Sequence, residues 1–334
     1  MIGSHSLRAS VSGIRHRLAC LSRDGRLYAI LSAAGFSFKA VFVKLSYQAG
    51  PVDALTLLAM RMSFALPLFL WLLHRSSSEA KPPLTRADGL RVWLLALLGN
   101  YLSNLFDFQG LHYISAGLER LILFLFPTMV LVMQAIQKRS WPEGRVWRIL
   151  AICYVGLSIA FAYDFQQSGG HADITVGAAW VVASAVTYSL YYIGTGNIVG
   201  RVGSMRLTGL IGSAACFMVL VHFLLLGQPA SATGLPVAIW IYAALMAMVS
   251  TVLPIWWLSL AIQRMGAGQA AALGTLGPVL TVFAAWLILG EPLSIAQLVG
   301  LGMVMFGVAR LKPSDEGAST SIRSPTQTVL NDMK

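Results

Sequence analysis

Residues Ser115–Pro127 read SAGLERLILFLFP, and Ala267–Pro278 read AGQAAALGTLGP. Ala116-Gly117 stands before Pro127 at the interval by which Ala267-Gly268 stands before Pro278. The offset of 151 residues also carries Gly156 onto Gly307 without a gap. A chain that says itself twice folds as like units, and overlooking the repeat misassigns the fold. Both copies are apolar, helix-like and built around a proline. Where the first has Glu119 and Arg120, the second has Ala270 and Ala271. Chemistry is expected where the copies differ.

Outward from these stretches the chain is 57% hydrophobic and only 11% charged over 334 residues, with a mean hydropathy of +0.71. Soluble domains carry about 25% charged residues, so this chain has too few charges to cover a water-facing surface. Apolar runs of about 20 residues, the length that crosses hydrocarbon, recur from Leu27 to Leu311. Ten are expected, at 27–49, 52–73, 91–112, 116–137, 146–164, 174–196, 204–226, 236–263, 268–289 and 293–311. The fold class is an all-α polytopic membrane protein.

The formal net charge of +11 would suit nucleic acid, but its placement argues for a membrane. Twenty of the 24 Lys and Arg lie before the first span, in every second connection, or after the last span. The alternate connections, at Gly50–Asp53, His112–Ser115, Asp164–Asp173, Gly227–Gly234 and Gly290–Pro292, hold none. The positive-inside rule puts both termini in the cytoplasm, as expected of a multi-pass protein of a bacterial-type inner membrane. Cys20, Cys153 and Cys216 show no pairing pattern. Residues 1–26 read as a basic cytoplasmic segment before a retained first helix, and 312–334 as a disordered cytoplasmic tail.

Five spans (27–164) precede the connection at 165–173 and five (174–311) follow it. An odd number per repeat sends the second copy into the membrane from the other side. Loop charge agrees: Lys138–Arg148 is strongly basic, whereas Leu289–Val299, its counterpart 151 residues on, has no Lys or Arg. The chain is thus read as ten transmembrane helices in two inverted five-helix repeats. This architecture is typical of secondary transporters with a site near the midplane.

The residues that carry a family likeness are Lys44, Arg61 in LLAMRMSFALPLFL, the SAGLERLILFLFP stretch, and GAGQAAALGTLGPVLTVFAAWLILGEPLSIAQLVGLGMVMFG. Over roughly 27–311 the chain resembles the EamA-type branch of the drug/metabolite transporter superfamily. That resemblance implies ten helices, a central cavity and often export of small metabolites. Amino acids, sugars, nucleotide-linked compounds and drugs are all within the family's range. The first half has Ser140-Trp141-Pro142-Glu143 where the second has the Gly290-Glu291-Pro292 turn, so a role for that turn is not carried over.

Charge within a span is costly and faces a cavity or a partner. Apart from Arg264 at a cytoplasmic end, it is confined to the first half: Lys39, Lys44, Arg61, Asp107, Glu119 and Arg120. One reading is a site for a carboxylate or phosphate, with Asp107 or Glu119 available for proton coupling. The other is that Arg61–Glu119 and a second pair tie helices together, a reading that weighs more for Arg120. Lys39 and Lys44 lie about 140° apart on one helix, so they do not face one cavity squarely; depth favours Lys39 and the resemblance favours Lys44.

Asn100, Ser103, Asn104 and Asp107 fall on one face of span three, as cavity lining or as interhelical glue. Pro127, Pro254 and Pro278 are candidate hinges or tolerated kinks. Tyr188 and Tyr191 in span six and Trp257 in span eight are candidate aromatic walls, or an interfacial belt, and Gln269 is a candidate hydrogen-bonding group. No catalytic motif, metal cluster or cofactor motif is present, and His222 reads as a satisfied core residue. The partners expected are a lipid bilayer and a small-molecule substrate, with no nucleic acid; the oligomeric state is not set, and a monomer would suffice. The expectation is a secondary transporter exporting a small polar or amphipathic metabolite, such as an amino acid or organic acid, by alternating access. The alternatives are a drug efflux permease and a non-transporting receptor or scaffold.

Overall fold

A computed structural model of the chain describes residues 25–76, 83–139, 144–167, 172–227, 234–265, 273–274 and 276–310. Among these the secondary structure is helical, with no strand. In order, α1 is Arg26–Ala49, α2 Ala54–Ser76, and α3 runs Arg86–Leu95, a π-helical stretch Ala96–Leu102, then Ser103–Tyr113. Helix α4 comprises Ala116–Leu123 and Phe126–Lys138, α5 is Gly144–Gln167, α6 Ala172–Val202 and α7 Ser204–Leu226. Helix α8 runs Val237–Ala247, π-helical Met248–Val252, Leu253–Met265. Helix α9 is Leu276–Ala284 ending in π-helical Ala285–Leu289, and α10 is Ile295–Arg310.

Six of these stretches are long and apolar enough to cross a bilayer, and the shorter Ala151–Tyr163, Leu276–Leu289 and Ile295–Gly307 are apolar too. The large hydrophobics most open to the surroundings, including Leu225, Leu226, Leu287 and Ile295, point away from the bundle. Water would penalise such a surface; hydrocarbon does not. The chain is an all-α polytopic membrane protein.

The 151-residue offset holds in three dimensions. It carries the π-helical turn of α3 onto that of α8, and the left-handed cap at Arg139 (φ 51°) onto the one at Gly290 (φ 68°). Helix packing repeats as well. Pairs α2–α7 and α5–α10 join equivalent helices, while α3–α6 is answered by α8–α1, and α4–α6 by α9–α1. That is the pattern of a pseudo-twofold axis. On it, Cys153 Sγ donates to the carbonyl of Val304, 151 residues away, at 3.7 Å. Beside it, a Cβ at Gly300 would stand 2.5 Å from the carbonyl oxygen of Gly156, so glycine sets how closely α5 and α10 cross.

The two matched π-helical turns, in α3 and α8, are each bridged to the other half just after they end. Ser184 Oγ on α6 donates to the carbonyl of Ser103, and Ser32 Oγ on α1 to that of Pro254, each at 2.8 Å. Two of the three candidate hinge prolines lie in the first turn of a helical segment, and the third sits within the continuous α8. Pro127 opens the second segment of α4 after a break at Phe124–Leu125, Pro278 lies in the first turn of α9, and Pro254 follows the π-helical turn of α8. In a first turn the missing N–H leaves nothing unpaired.

Candidate functional site

Arg61 is the centre of the polar interior. It is 4% exposed on α2. Its Nε donates to Thr251 Oγ1 of α8 and its Nη1 to Asn104 Oδ1 of α3, both at 3.1 Å. Its guanidinium lies 5.4 Å from the centre of the Phe108 ring. The acceptors are themselves fixed: Thr251 Oγ1 donates to the carbonyl of Met246 in the π-helical turn, and Asn104 Nδ2 to that of Asn100. Both hydrogen-bonding side chains are neutral, and they come from the two halves at related helices. Among the described residues no Arg61–Glu119 pair forms, the arrangement that the alternative reading of these charges required.

The second polar group joins α1, α3 and α4. Lys39 Nζ lies 2.7 Å from Asp107 Oδ2. Glu119 is fully buried, and its carboxyl group neighbours that of Asp107. Arg120 Nη2 donates to the carbonyl of Phe36 at 2.9 Å, and its Nε stands 3.9 Å from Glu119 Oε2. Tyr47 donates to the carbonyl of Phe108 at 2.7 Å, closing the group towards the end of α1. Arg61 and this group meet on one short stretch of α3, where Asn104 serves Arg61, Asp107 serves the second group and Phe108 touches both.

The two lysines of α1 part company, as their angular separation requires. Lys39 joins the buried carboxylates, whereas Lys44 is half-buried and faces the charge of Glu291. The polar face of span three also splits, with Ser103 turned to Ser184, Asn104 to Arg61 and Asp107 to Lys39. Tyr188 packs edge-on against Phe126 at 5.1 Å and neighbours both Tyr191 and Arg120. Tyr191 covers Gly99 in the α3 π-helical turn, where a Cβ would stand 2.2 Å from its ring. Trp257 is half-buried on α8. Gln269 lies outside the described residues. His222 has a partner, Tyr101 Oη at 2.6 Å from its Nδ1.

Three contributors escaped the sequence reading. Thr251 looks apolar-compatible in isolation, yet it holds Arg61; its equivalence to Asn100 was the available signal. Glu291 accepts from the N–H groups of Ala116 and Gly117, at 3.0 and 3.3 Å. It thereby caps α4 across the two halves and complements the helix dipole. Asp88 makes a capping box with Thr85 and pairs with Arg201 at the end of α6. Among the described residues no cluster of His, Cys, Asp and Glu could hold a metal ion.

Known proteins share this arrangement. The family model described as the EamA-like transporter family matches residues 24–162 and again 175–311. The chain is 29% identical over 300 residues to the uncharacterized transporter YcbK of Bacillus subtilis (strain 168), covering 86% of this chain and 92% of that protein. It is 23% identical over 329 residues to the uncharacterized transporter sll1319 of Synechocystis sp. (strain ATCC 27184 / PCC 6803 / Kazusa), covering 90% and 96%. A solved crystal structure superposes with a TM-score of 0.59 over 85% of this chain and 95% of that one, at 18% identity, a likeness of fold. With both halves matched by one transporter model, this chain belongs to the EamA-like transporter family.

Proposed function

We propose that this transporter exports a small zwitterionic or anionic metabolite, an amino acid or an organic acid, by alternating access between its two halves. The observation that carries the reading is the bonding of Arg61. A buried guanidinium is costly unless its charge is answered. Yet Arg61 has no carboxylate within ion-pair distance among the described residues, and its hydrogen bonds go to neutral groups. A substrate carboxylate would supply the missing charge. Because Asn104 and Thr251 belong to opposite halves, movement of one half against the other would loosen that grip.

Lys39 and the carboxylates beside it would meet the rest of the substrate. Asn100, Asn104, Tyr188 and Tyr191 would shape the pocket, with Trp257 and Gln269 at its second-half side and Lys44 nearer the outer end. The break before Pro127, the π-helical turn before Pro254 and the first turn of α9 at Pro278 would serve as hinges. The basic connections support a bacterial-type inner membrane with both termini in the cytoplasm. A receptor or scaffold would gain by pairing its buried charges with each other, and Arg61 is not so paired. Efflux from proteoliposomes loaded in turn with L-amino acids and organic acids tests the proposal. Saturable efflux of at least one, lost in Arg61→Gln, is expected. Well-folded protein that moves none of them sinks it, and drug resistance on overexpression would then point to an efflux permease.

A further inference from the structure

Glu119 and Asp107 come from different helices and are 0% and 1% exposed. The two carboxyl groups are neighbours, and apart from the Lys39 Nζ contact at 2.7 Å to Asp107 Oδ2 no described residue donates a hydrogen bond to their four oxygens. Lys39 neutralises Asp107 as an ion pair. Arg120 has only a long contact with Glu119, its Nη2 being held by Phe36. Two ionised carboxylates offer acceptors and no donor. A proton on one makes a donor–acceptor pair and removes a like-charge contact from a low-dielectric interior.

We infer that the Glu119–Asp107 pair is a proton site, and that its proton is exchanged for the ammonium group of a zwitterionic substrate. The inference rests on the carrier reading above. Open to the outside, Glu119 takes a proton from water, forming one O–H bond that donates to Asp107. Open to the cytoplasm, that O–H bond breaks and the proton leaves to water. The substrate ammonium then occupies the space before the two carboxylates while its own carboxylate meets Arg61. No other bond changes, and one proton enters for each zwitterion that leaves. An anion lacking the ammonium has no means of displacing the proton.

The charges acting on Glu119 are Asp107 of α3, Arg120 of α4 and Lys39 of α1. Around them stand Tyr47 of α1 and Arg61 of α2, which face Asp107, and Tyr188 of α6, which faces Arg120. Helix α9 has no ionisable residue over Leu276–Leu289, α10 has only Arg310 at its last position, and α5 turns Cys153 to Val304.

The test uses full-length protein in proteoliposomes holding a mixture of the proteinogenic L-amino acids and the dye pyranine, with an acidic medium outside. Expected is efflux accompanied by acidification of the lumen, with the ratio of protons to substrate falling to zero in Glu119→Gln. In parallel, infrared difference spectra between acidic and neutral medium, without substrate, should show a protonated-carboxyl band that Glu119→Gln removes. Glu119→Asp, which keeps a carboxyl group, should retain both signals. Efflux without proton movement overturns the inference and leaves the carrier reading standing. No efflux in wild type overturns both. Should Glu119→Gln abolish efflux, the band decides: its loss supports the site, and its persistence refutes it.

Discussion

Arg61 and Gly212 occupy the same place in the two halves, 151 residues apart, on helices that cross at the axis. Gly212 makes room for a neighbour, since a Cβ there would stand 2.5 Å from Phe69 Cδ1. Arg61 crowds nothing and reaches Asn104 and Thr251. One position serves packing and its counterpart serves charge. The same division appears at the helix ends. Asp88 at the start of α3 pairs with Arg201 at the end of α6, while at the equivalent place Gly50 lies so close to Ile239 that an added Cβ would stand 3.4 Å from its Cδ1. A duplicated fold thus needs its symmetry for backbone crossings and can spend its asymmetry on polar side chains.

The largest expected effect comes from exchanging those roles. Arg61→Gln should remove most substrate affinity, at about 2–5 kcal/mol for truncating one partner of a buried charge pair, while thermal stability stays near wild type. Gly212→Ala should do the reverse, costing about 1–3 kcal/mol of stability through overpacking against Phe69. Flux assays and detergent melting curves on both variants decide it. Equal losses of stability in the two would erase the distinction.

Next comes the crossing on the axis. Gly300→Val drives a side chain against the Gly156 backbone and should lower stability by at least about 1–3 kcal/mol. Gly302→Val, with no neighbouring atom within 4 Å of its Cβ, should melt like wild type. A fall in both would mean that helix propensity, not close approach, sets the cost.

A smaller effect is expected at the Asp88–Arg201 pairing. Arg201→Gln removes the ion pair and leaves the Thr85–Asp88 capping box intact. The side chain of Arg201 is 47% exposed, so solvent screening holds the loss to about 0.5–1 kcal/mol. High salt should shrink the difference between variant and wild type; a salt-independent gap would contradict a screened pair.

The smallest effect concerns the left-handed caps. Arg139 adopts φ 51° where its counterpart is Gly290. A side chain in that region costs about 1 kcal/mol, part of which a glycine returns through added unfolded-state entropy. Arg139→Gly should therefore raise the melting temperature slightly, consistent with a gain of about 0.5 kcal/mol. A fall would show that the Arg139 side chain does more for the fold than its backbone costs.

Much of this was legible beforehand. Hydropathy gave the spans because lipid demands long apolar helices whatever their packing, and the 151-residue register survived because crossings such as Gly156–Gly300 tolerate so few residues. The charged residues of the first half were equally visible, since ionised side chains stand out in apolar runs. Their partners were not. Lys39 against Lys44 depended on which helices surround α1, and Glu291 caps a helix 174 residues away.

By itself, then, the sequence determined a membrane-embedded helical duplication and the few residues able to carry charge inside it, because composition and period are properties of the chain. Only the tertiary structure decided that Arg61 is held by neutral groups and that Glu119 faces Asp107. The Arg61 bonds span 190 and 43 residues of chain, and Glu119, though only 12 residues after Asp107, stands on a separate helix; no local pattern encodes which side chains helix packing brings together.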